Sequence, residues 1–289
     1  MNVKKAVILL GGLGTRFLPI TKAIPKEMIP VIEKPVFHYL VEEAVASGVK
    51  DIIIVTSPPK KKLIEHYLNP SPKLEKFLKK RKKNELLPYL KTIPSDVIVN
   101  ICLQTKPLGD GDAILKAKNL IGDEAFGVFF GDDIIDAEVP ALSQLLDVYK
   151  KYKSLVIALE RIPREKLYLY GVVKTEKIAN RLYKIRGIVE KPAPDEAPSD
   201  LAIPGRYVLT PDVFEILENM EPGPRGEIIL ADALDIMIKR GKPVYGLECR
   251  GKWLACGDKI GFLKTTVLLT LKHPEFGKEF KEFLKGLKI

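Results

Sequence analysis

Short apolar runs alternate with amphipathic segments through the first half of the chain. Five of these runs have the length and apolar content of buried strands: Ala6 to Leu10, Asp51 to Thr56, Val97 to Leu103, Gly127 to Gly131 and Ser154 to Leu159. Apolar residues at helical spacing predict helices at Pro35 to Ser47, Lys60 to Leu68, Leu74 to Tyr89, Ala113 to Asn119 and Pro140 to Tyr152. Because strands that alternate with helices form parallel sheets, the pattern predicts a Rossmann-like α/β fold.

The pattern changes in the second half of the chain. Gly171 to Val189 is typical of a hairpin, which would add antiparallel strands, and Ile203 to Leu209 predicts one more strand. Glu227 to Arg240 predicts an amphipathic helix that ends at Gly241. We therefore expect a mixed, mostly parallel sheet flanked by helices.

The chain has no internal repeat and no disordered linker, which favours a single domain over residues 1–289. A helical insertion is expected at about 60–92, and it contains the basic run Lys79 to Lys83. Two helices near Asp258 to Leu271 and Glu275 to Leu287 make up a C-terminal helical segment at about 258–289.

Three glycines, Gly11, Gly12 and Gly14, follow the first predicted strand directly. Glycine allows several successive backbone N–H groups to point into one concavity, which then binds phosphate oxygens, and Arg16 adds a permanently charged guanidinium. We call Gly11 to Arg16 the glycine loop. Lys22 and Lys26 extend the positive charge beyond it, and prolines at 19, 25 and 30 predict an extended, ordered loop instead of a regular helix.

Two familiar phosphate loops are excluded by spacing. A dinucleotide-binding fingerprint needs a third glycine where Phe17 stands, and the Gly-Lys-Ser/Thr of a Walker-type loop is absent. The alternative from composition alone is a generic tight turn with solvated lysines.

Composition excludes several classes of protein. No apolar run approaches the roughly 20 residues of a membrane span, so we expect a cytoplasmic protein that binds no membrane. Three cysteines and three histidines lie at spacings that do not suit a metal site or a disulfide framework. The net charge of +10 raises the possibility of nucleic-acid binding, but without interleaved aromatic residues a solvated helix face explains the basic run better. Abundant Lys and Glu are typical of proteins from hot environments.

The stretch Gly12 to Pro30 closely resembles the signature of the bacterial-type UTP–glucose-1-phosphate uridylyltransferases, which belong to the sugar-nucleotidyltransferase superfamily. The resemblance continues in family order through these blocks: Gly109 to Ala113, Tyr170 to Val173, Val189 to Pro192, Ala202 to Leu209 and Cys256 to Lys259. It implies the nucleotide-diphospho-sugar transferase fold, and it implies a homodimer or homotetramer.

The resemblance also assigns roles to individual residues. Arg16, Lys26 and Asp132 are the expected catalytic residues. Gln104, whose amide can match a pyrimidine edge, is expected to read uracil. The remaining substrate-binding residues that the resemblance implies are Gly11, Gly12, Gly14, Thr15, Glu27, Gly109, Gly171, Glu190, Lys191, Gly205 and Tyr207.

Mg²⁺ is the expected cofactor, because Asp132 and Asp133 follow a buried strand and one carboxylate near substrate phosphates is enough to anchor this ion. The resemblance implies that Asp132 is the magnesium ligand. Similar enzymes usually have a second aspartate two residues before Gly257, where this chain has Ala255. Asp258 is the candidate for the second metal ligand. If Asp258 does not bind the metal, the chain would bind it through Asp132 and substrate phosphates alone, or would be weakened in catalysis.

The expected activity is Mg-dependent transfer of a uridylyl group from UTP to glucose 1-phosphate, which gives UDP-glucose and pyrophosphate. Three alternatives remain open at this point. A thymidylyltransferase would differ in its pyrimidine preference, a non-catalytic nucleotide-sugar-binding module is suggested by Ala255, and a nucleic-acid binder is suggested by charge alone.

Overall fold

A mixed sheet of ten strands runs through residues 3–287, the part of the chain that the computed structural model describes. The strands in these residues are β1 (Lys5–Leu10), β2 (Pro30–Val31), β3 (Lys34–Pro35), β4 (Asp51–Thr56), β5 (Ile98–Leu103), β6 (Phe126–Phe130), β7 (Asp133–Asp136), β8 (Leu155–Arg161), β9 (Gly171–Ala179), β10 (Leu182–Glu190), β11 (Leu201–Ala202), β12 (Arg206–Leu209), β13 (Val244–Glu248) and β14 (Lys252–Ala255). The α-helices in the same residues are α1 (Val36–Ala46), α2 (Pro58–Leu68), α3 (Pro72–Lys80), α4 (Asp110–Lys116), α5 (Lys118–Ile121), α6 (Ala141–Tyr152), α7 (Val213–Glu218), α8 (Leu230–Lys239), α9 (Lys259–Lys272) and α10 (Gly277–Gly286).

The large sheet has the strand order β11-β9-β10-β13-β8-β12-β6-β1-β4-β5. Strands β6, β1, β4 and β5 are parallel neighbours, and β8 is parallel to β13. Strand β12 runs antiparallel to both β6 and β8, and β9 with β10 forms the expected hairpin. The prediction of a mixed α/β sheet flanked by helices is therefore confirmed.

Both faces of the central strands are covered, which explains why their sequences read as continuous apolar runs. In β1, Val7 and Leu9 contact the hydrophobic cluster on one face, and Ile8 and Leu10 contact the cluster on the other. Helix α1 packs on the second of these clusters and α8 on the first. The carboxyl ends of β1, β4 and β6 therefore meet at one fixed edge of the sheet.

Three local predictions are wrong. The segment after the glycines is not extended, because it forms short 3-10 turns at Thr15–Phe17, Ile20–Lys22 and Lys26–Met28, which tolerate the prolines that exclude a regular α-helix. The helix expected over Leu74 to Tyr89 ends at Lys80, and a 3-10 segment, Asn84–Leu90, follows. Lys82 has a left-handed backbone, with φ of 56°, and this conformation breaks the helix.

The third wrong prediction concerns the strand expected over Ile203 to Leu209. The chain forms two short strands, β11 and β12, because Pro204 and the left-handed Gly205, with φ of 58°, interrupt the extended backbone.

Helices do lie in the insertion and near the C-terminus, although the assignment of one domain over residues 1–289 stays a prediction. Residues 1, 2, 288 and 289, which that prediction includes, lie outside the described residues. No helix within residues 3–287 is long and apolar enough to cross a membrane.

Candidate active site

Two adjoining cavities open where β1 and β6 end. The larger, about 450 Å³, is lined by Leu9, Gly11, Gly12, Leu13, Gly14, Thr15, Lys26, Glu27, Gln104, Pro107, Gly109, Asp110, Ala113, Phe130, Gly131, Asp132, Lys191 and Glu227. The smaller, about 200 Å³, is lined by Arg16, Asp110, Phe130, Asp132, Asp133, Leu169, Tyr170, Gly171, Glu190, Lys191, Ile203, Tyr207, Ala231, Ala255, Gly257 and Asp258. Asp110, Phe130, Asp132 and Lys191 line both cavities and so lie on the border between the two.

The backbone of the glycine loop offers hydrogen-bond donors to the larger cavity. The carbonyl oxygens of Gly12 and Gly14 are occupied, by Lys60 and by Phe17 and Thr21 respectively. The N–H groups of Gly12 and Gly14 have no acceptor within the described part of the chain. Gly14 is left-handed, with φ of 68°, and so turns the chain back over this concavity. Free donors of this kind suit phosphate oxygens.

Lys26, in the larger cavity, forms an ion pair with Asp132, which lines both cavities. The Nζ atom of Lys26 lies 2.6 Å from Oδ2 of Asp132, and the two side chains are 17% and 26% exposed. Burial by itself would lower the pKa of the Lys26 ammonium, but Asp132 and Glu27 raise this pKa above its ordinary value. Burial would raise the pKa of Asp132, but Lys26 holds it below its ordinary value. Both groups are therefore charged at neutral pH.

The neighbouring carboxylate, Asp133, has a different environment. Its Oδ1 atom accepts a hydrogen bond of 2.7 Å from the indole N–H of Trp253. Burial raises the pKa of Asp133 to about 7, and the charge of Asp132 raises it as well. The Gly205 backbone packs against Asp133 and Phe130, because a Cβ at Gly205 would lie 2.6 Å from Oδ2 of Asp133.

A buried arginine holds the backbone on which Asp132 and Asp133 lie. Arg206, on β12, is fully buried, pairs with Glu43 of α1 at 2.9 Å and donates a hydrogen bond to the carbonyl oxygen of Asp133. Glu43 also accepts a hydrogen bond from the backbone N–H of Leu142 at 3.1 Å. The pair thus joins α1, α6, β7 and β12 behind the cavities.

We expect Arg206→Met to lower the free energy of unfolding by at least about 3 kcal/mol, because it leaves Glu43 buried without its cation. Urea denaturation measures this change. The matched control is Arg161→Met, since Arg161 is half-exposed and pairs with Asp200 and Glu248 at the surface. The control is expected to cost less than about 1 kcal/mol, and equal losses in the two variants would contradict the assignment.

Gln104 is oriented by its own hydrogen bonds. Its Nε2 atom donates to the carbonyl oxygen of Gly109 at 2.8 Å and to Oδ2 of Asp112 at 2.9 Å. Since the amide nitrogen is occupied, Oε1 points toward Gly11, where an added Cβ would lie 2.7 Å from it. A carbonyl acceptor in this position suits the imide N–H of a pyrimidine.

Glu190 and Lys191 lie together at the wall of the smaller cavity. The Nζ atom of Lys191 is 2.8 Å from Oε1 of Glu190, at the end of β10. Gly171 keeps this wall open, because a Cβ there would lie 3.2 Å from Oε2 of Glu190. Burial raises the pKa of Tyr207 well above its ordinary value, so its hydroxyl stays neutral beside the cavity. Acceptor, cation and hydroxyl in one wall suit a phosphorylated sugar.

Asp258 lines the smaller cavity, but one of its oxygens is already used. As the N-cap of α9 it accepts a hydrogen bond of 2.9 Å from the N–H of Gly261. Ala255 lies opposite Asp133 in the pairing of β14 with β7 and adds no polar atom to the cavity. Within residues 3–287, no group of three or more His, Cys, Asp and Glu side chains could hold a metal ion by itself.

The structure brings nearly all of the predicted site residues to the two cavities. Gly205 lines neither of them and lies behind Phe130 and Asp133. Glu27 reaches the larger cavity only at its edge, because it is 2% exposed and paired with Lys60. The roles assigned to the site residues stay predictions.

Sequence reasoning missed Lys60, Asp110, Asp112 and Asp133 as parts of the site. Asp110 lies between the cavities, accepts a 2.7 Å hydrogen bond from the N–H of Leu230, and has a pKa that burial raises to about 6. Asp112 orients Gln104. Lys60 follows a strand that neighbours β1, so the predicted parallel order contained a signal for it. Asp133 directly follows Asp132, which was predicted as a site residue, so its position in the sequence was a signal for it.

The chain is similar to known proteins along nearly its whole length. The family model described as nucleotidyl transferase matches residues 5–270. A UTP–glucose-1-phosphate uridylyltransferase of Bacillus subtilis is 42% identical over 286 residues, which are 99% of this chain and 97% of the relative. A UTP-bound UGPase of Acinetobacter baumannii superposes with a TM-score of 0.91 and 37% identity, covering 99% of this chain and 100% of that structure. A UDP-glucose pyrophosphorylase complexed with UDP-glucose superposes with a TM-score of 0.85 and 37% identity, over 94% of this chain and 100% of that structure.

Proposed function

Because this chain belongs to the nucleotidyl transferase family, and within it to the bacterial-type UTP–glucose-1-phosphate uridylyltransferases, we propose that it makes UDP-glucose. It transfers the uridylyl group of UTP to glucose 1-phosphate and releases pyrophosphate. The observation that carries this conclusion is the Lys26 and Asp132 pair. Lys26 lines the cavity with the free backbone donors, and Asp132 lines both that cavity and the one that contains Glu190.

In this reaction a phosphate oxygen of glucose 1-phosphate forms a bond to the α-phosphorus of UTP, and the bond from that phosphorus to the bridging oxygen of the β-phosphate breaks. The electron pair leaves with pyrophosphate, so no side chain has to form a covalent intermediate. The chain must hold two polyanions in line and compensate the charge that builds up between them. Lys26, in the larger cavity, would contact the α-phosphate, and Arg16 with the glycine loop would hold the leaving pyrophosphate.

The residues present fit Mg²⁺ bound together with substrate. Asp132 offers a hard oxygen ligand at the border of the cavities, and Mg²⁺ commonly binds through one or two carboxylates plus phosphate oxygens. Bound there, Mg²⁺ would neutralise phosphate charge during transfer. Asp258 would be the second ligand through Oδ2, since its Oδ1 atom caps α9, just as Asp132 would use Oδ1 because its Oδ2 atom pairs with Lys26.

We further propose that the chain forms a homodimer or homotetramer in the cytoplasm. Four apolar side chains on this surface are 47% to 60% exposed: Leu18 and Ile20, beside the glycine loop, and Ile260 and Leu263, on α9. The rings of Phe17 and Phe262 pack edge to face with their centroids 5.8 Å apart, and this contact brings the two apolar segments together. Burial of such a patch favours association. Light scattering measures the mass in solution, and a monomer at all concentrations would contradict the proposal.

Pyrophosphate release with glucose 1-phosphate and Mg²⁺ tests the proposed activity. UTP and dTTP are compared in parallel, for the wild-type chain and for Ala255→Asp. We expect robust release with UTP in the wild type, whereas release with dTTP alone would indicate a thymidylyltransferase.

A second candidate function is suggested by Ala255, which puts no carboxylate into the smaller cavity. In that case the chain would bind nucleotide sugars without catalysis. Tight binding of UDP-glucose with no pyrophosphate release, and release restored only in Ala255→Asp, would favour this binding module over the enzyme.

A further inference from the structure

Lys60 reaches the glycine loop from a neighbouring element. It lies in the first turn of α2, which follows β4, and β4 is the parallel neighbour of β1. Its Nζ atom is 3.0 Å from the carbonyl oxygen of Leu10 and also donates to the carbonyl oxygen of Gly12. The side chain is only 11% exposed. An ammonium therefore joins both ends of the turn that leaves β1.

These contacts determine which way the peptide groups of the loop face. With the carbonyl oxygens of Leu10 and Gly12 held by Lys60, the loop presents its N–H groups on the other side. The N–H groups of Gly11 and Leu13 belong to these same two peptide groups and have no acceptor among residues 3–287, and both residues line the larger cavity. Lys60 thus stabilises a loop conformation whose unbonded donors lie at the cavity.

Lys60 also compensates a charge that would oppose a polyanion. Oε2 of Glu27 lies 3.0 Å from Nζ of Lys60, and Glu27 is 2% exposed. A Cβ added to Gly12 would lie 4.0 Å from Oε1 of Glu27, which places this carboxylate directly against the loop. Without Lys60, a buried negative charge would lie next to the site proposed for phosphates, where repulsion is screened only weakly.

We propose that Lys60 is a positioning residue for UTP. Its ammonium holds the N–H donors of the glycine loop toward the polyphosphate and compensates the negative charge of Glu27 beside the loop. This inference rests on the proposed function, because it takes UTP as the ligand. Lys60 lines neither cavity and acts through the loop and through Glu27.

The test is calorimetric titration of UTP into the wild type, Lys60→Met and Lys61→Met. Lys61 is the matched control, because it is the next residue on the same helix and pairs with Glu65 at the surface. We expect Lys60→Met to raise Kd for UTP at least about tenfold, and Lys61→Met to leave it within about twofold. The KM for glucose 1-phosphate should change much less than the KM for UTP. A purely structural role would lower Tm and change both KM values alike.

The double variant Glu27→Gln with Lys60→Met separates charge from packing. It contains no unpaired buried charge, so it is expected to fold even where Lys60→Met does not. Its Kd for UTP should lie between those of the wild type and Lys60→Met. The repelling carboxylate of Glu27 is removed, but the loop carbonyl oxygens still lack the ammonium of Lys60. Wild-type affinity for UTP in Lys60→Met, or in the double variant, would overturn the proposal. A wild-type chain that does not bind UTP at all would overturn the proposed function itself.

Discussion

Replacing Lys26 by alanine is expected to lower the turnover number by at least about a hundredfold while the fold persists. The ammonium is mostly buried and lies 2.6 Å from Asp132, at the border of the two cavities where the reacting phosphates would meet. Its removal would take away the cation proposed to compensate charge on the α-phosphate, and it would leave Asp132 to repel that phosphate. Single-turnover measurement of pyrophosphate release, with circular dichroism as the check on folding, gives the result.

Lys22→Ala is the matched control for this experiment, because Lys22 is an exposed lysine of the same segment that lines neither cavity. Turnover of the control should stay within about twofold of the wild type, since a distant, solvated charge contributes little. Near wild-type turnover in Lys26→Ala would remove Lys26 from the mechanism. An equal loss in both variants would mean that general positive charge matters and that the position of Lys26 does not.

The fold class could be predicted because each central strand is buried on both faces. Neither β1 nor β4 tolerates a polar residue in its middle, so the apolar runs identified them directly. Boundaries that depend on one backbone conformation were missed. The left-handed Lys82 ends a helix that the periodicity would continue, and the left-handed Gly205 separates β11 from β12. The residues around Lys82 carry no distinctive pattern, whereas the Pro204–Gly205 pair is a turn signal that the strand prediction overlooked.

The site shows the same division between local and distant information. The glycine loop, Arg16 and Lys26 lie within one short segment, so their proximity followed from the sequence. Lys60 and Asp110 contribute through contacts with residues distant in the chain, such as the 2.7 Å hydrogen bond from Leu230 to Asp110. A lysine in a helix with many other lysines has no distinguishing feature until the parallel pairing of β1 and β4 places it beside the loop.

The two cavities contain both positively and negatively charged side chains. Arg16, Lys26 and Lys191 supply cations, whereas Asp110 and Asp132 bring carboxylates to the border between the cavities. Carboxylates repel the phosphates of both substrates, so each must be held by a cation, a backbone donor or a metal ion. The backbone N–H of Leu230 donates a hydrogen bond to Asp110, and the ammonium of Lys26 pairs with Asp132. Asp132 is thus the carboxylate whose partner also faces substrate.

Replacing Asp132 by asparagine is the second large effect that we expect, a loss of at least about a hundredfold in turnover, equivalent to roughly 3 kcal/mol. Asparagine keeps the shape of the side chain but removes the charge that holds Lys26 and that would anchor Mg²⁺. The Mg²⁺ concentration that gives half of the maximal rate should rise, which a loss of packing alone would not cause.

Asp136→Asn is the control for Asp132→Asn, because Asp136 lies on β7, pairs with Lys272 and lines neither cavity. It should leave both turnover and the Mg²⁺ requirement within about twofold of the wild type. The double variant of Lys26→Ala with Asp132→Asn should lose less than the product of the two single losses, since each single variant already breaks the same pair. An unchanged Mg²⁺ requirement in Asp132→Asn would show that the carboxylate serves only to hold Lys26. A loss of turnover in the double variant equal to the product of the two single losses would show that the two side chains act independently.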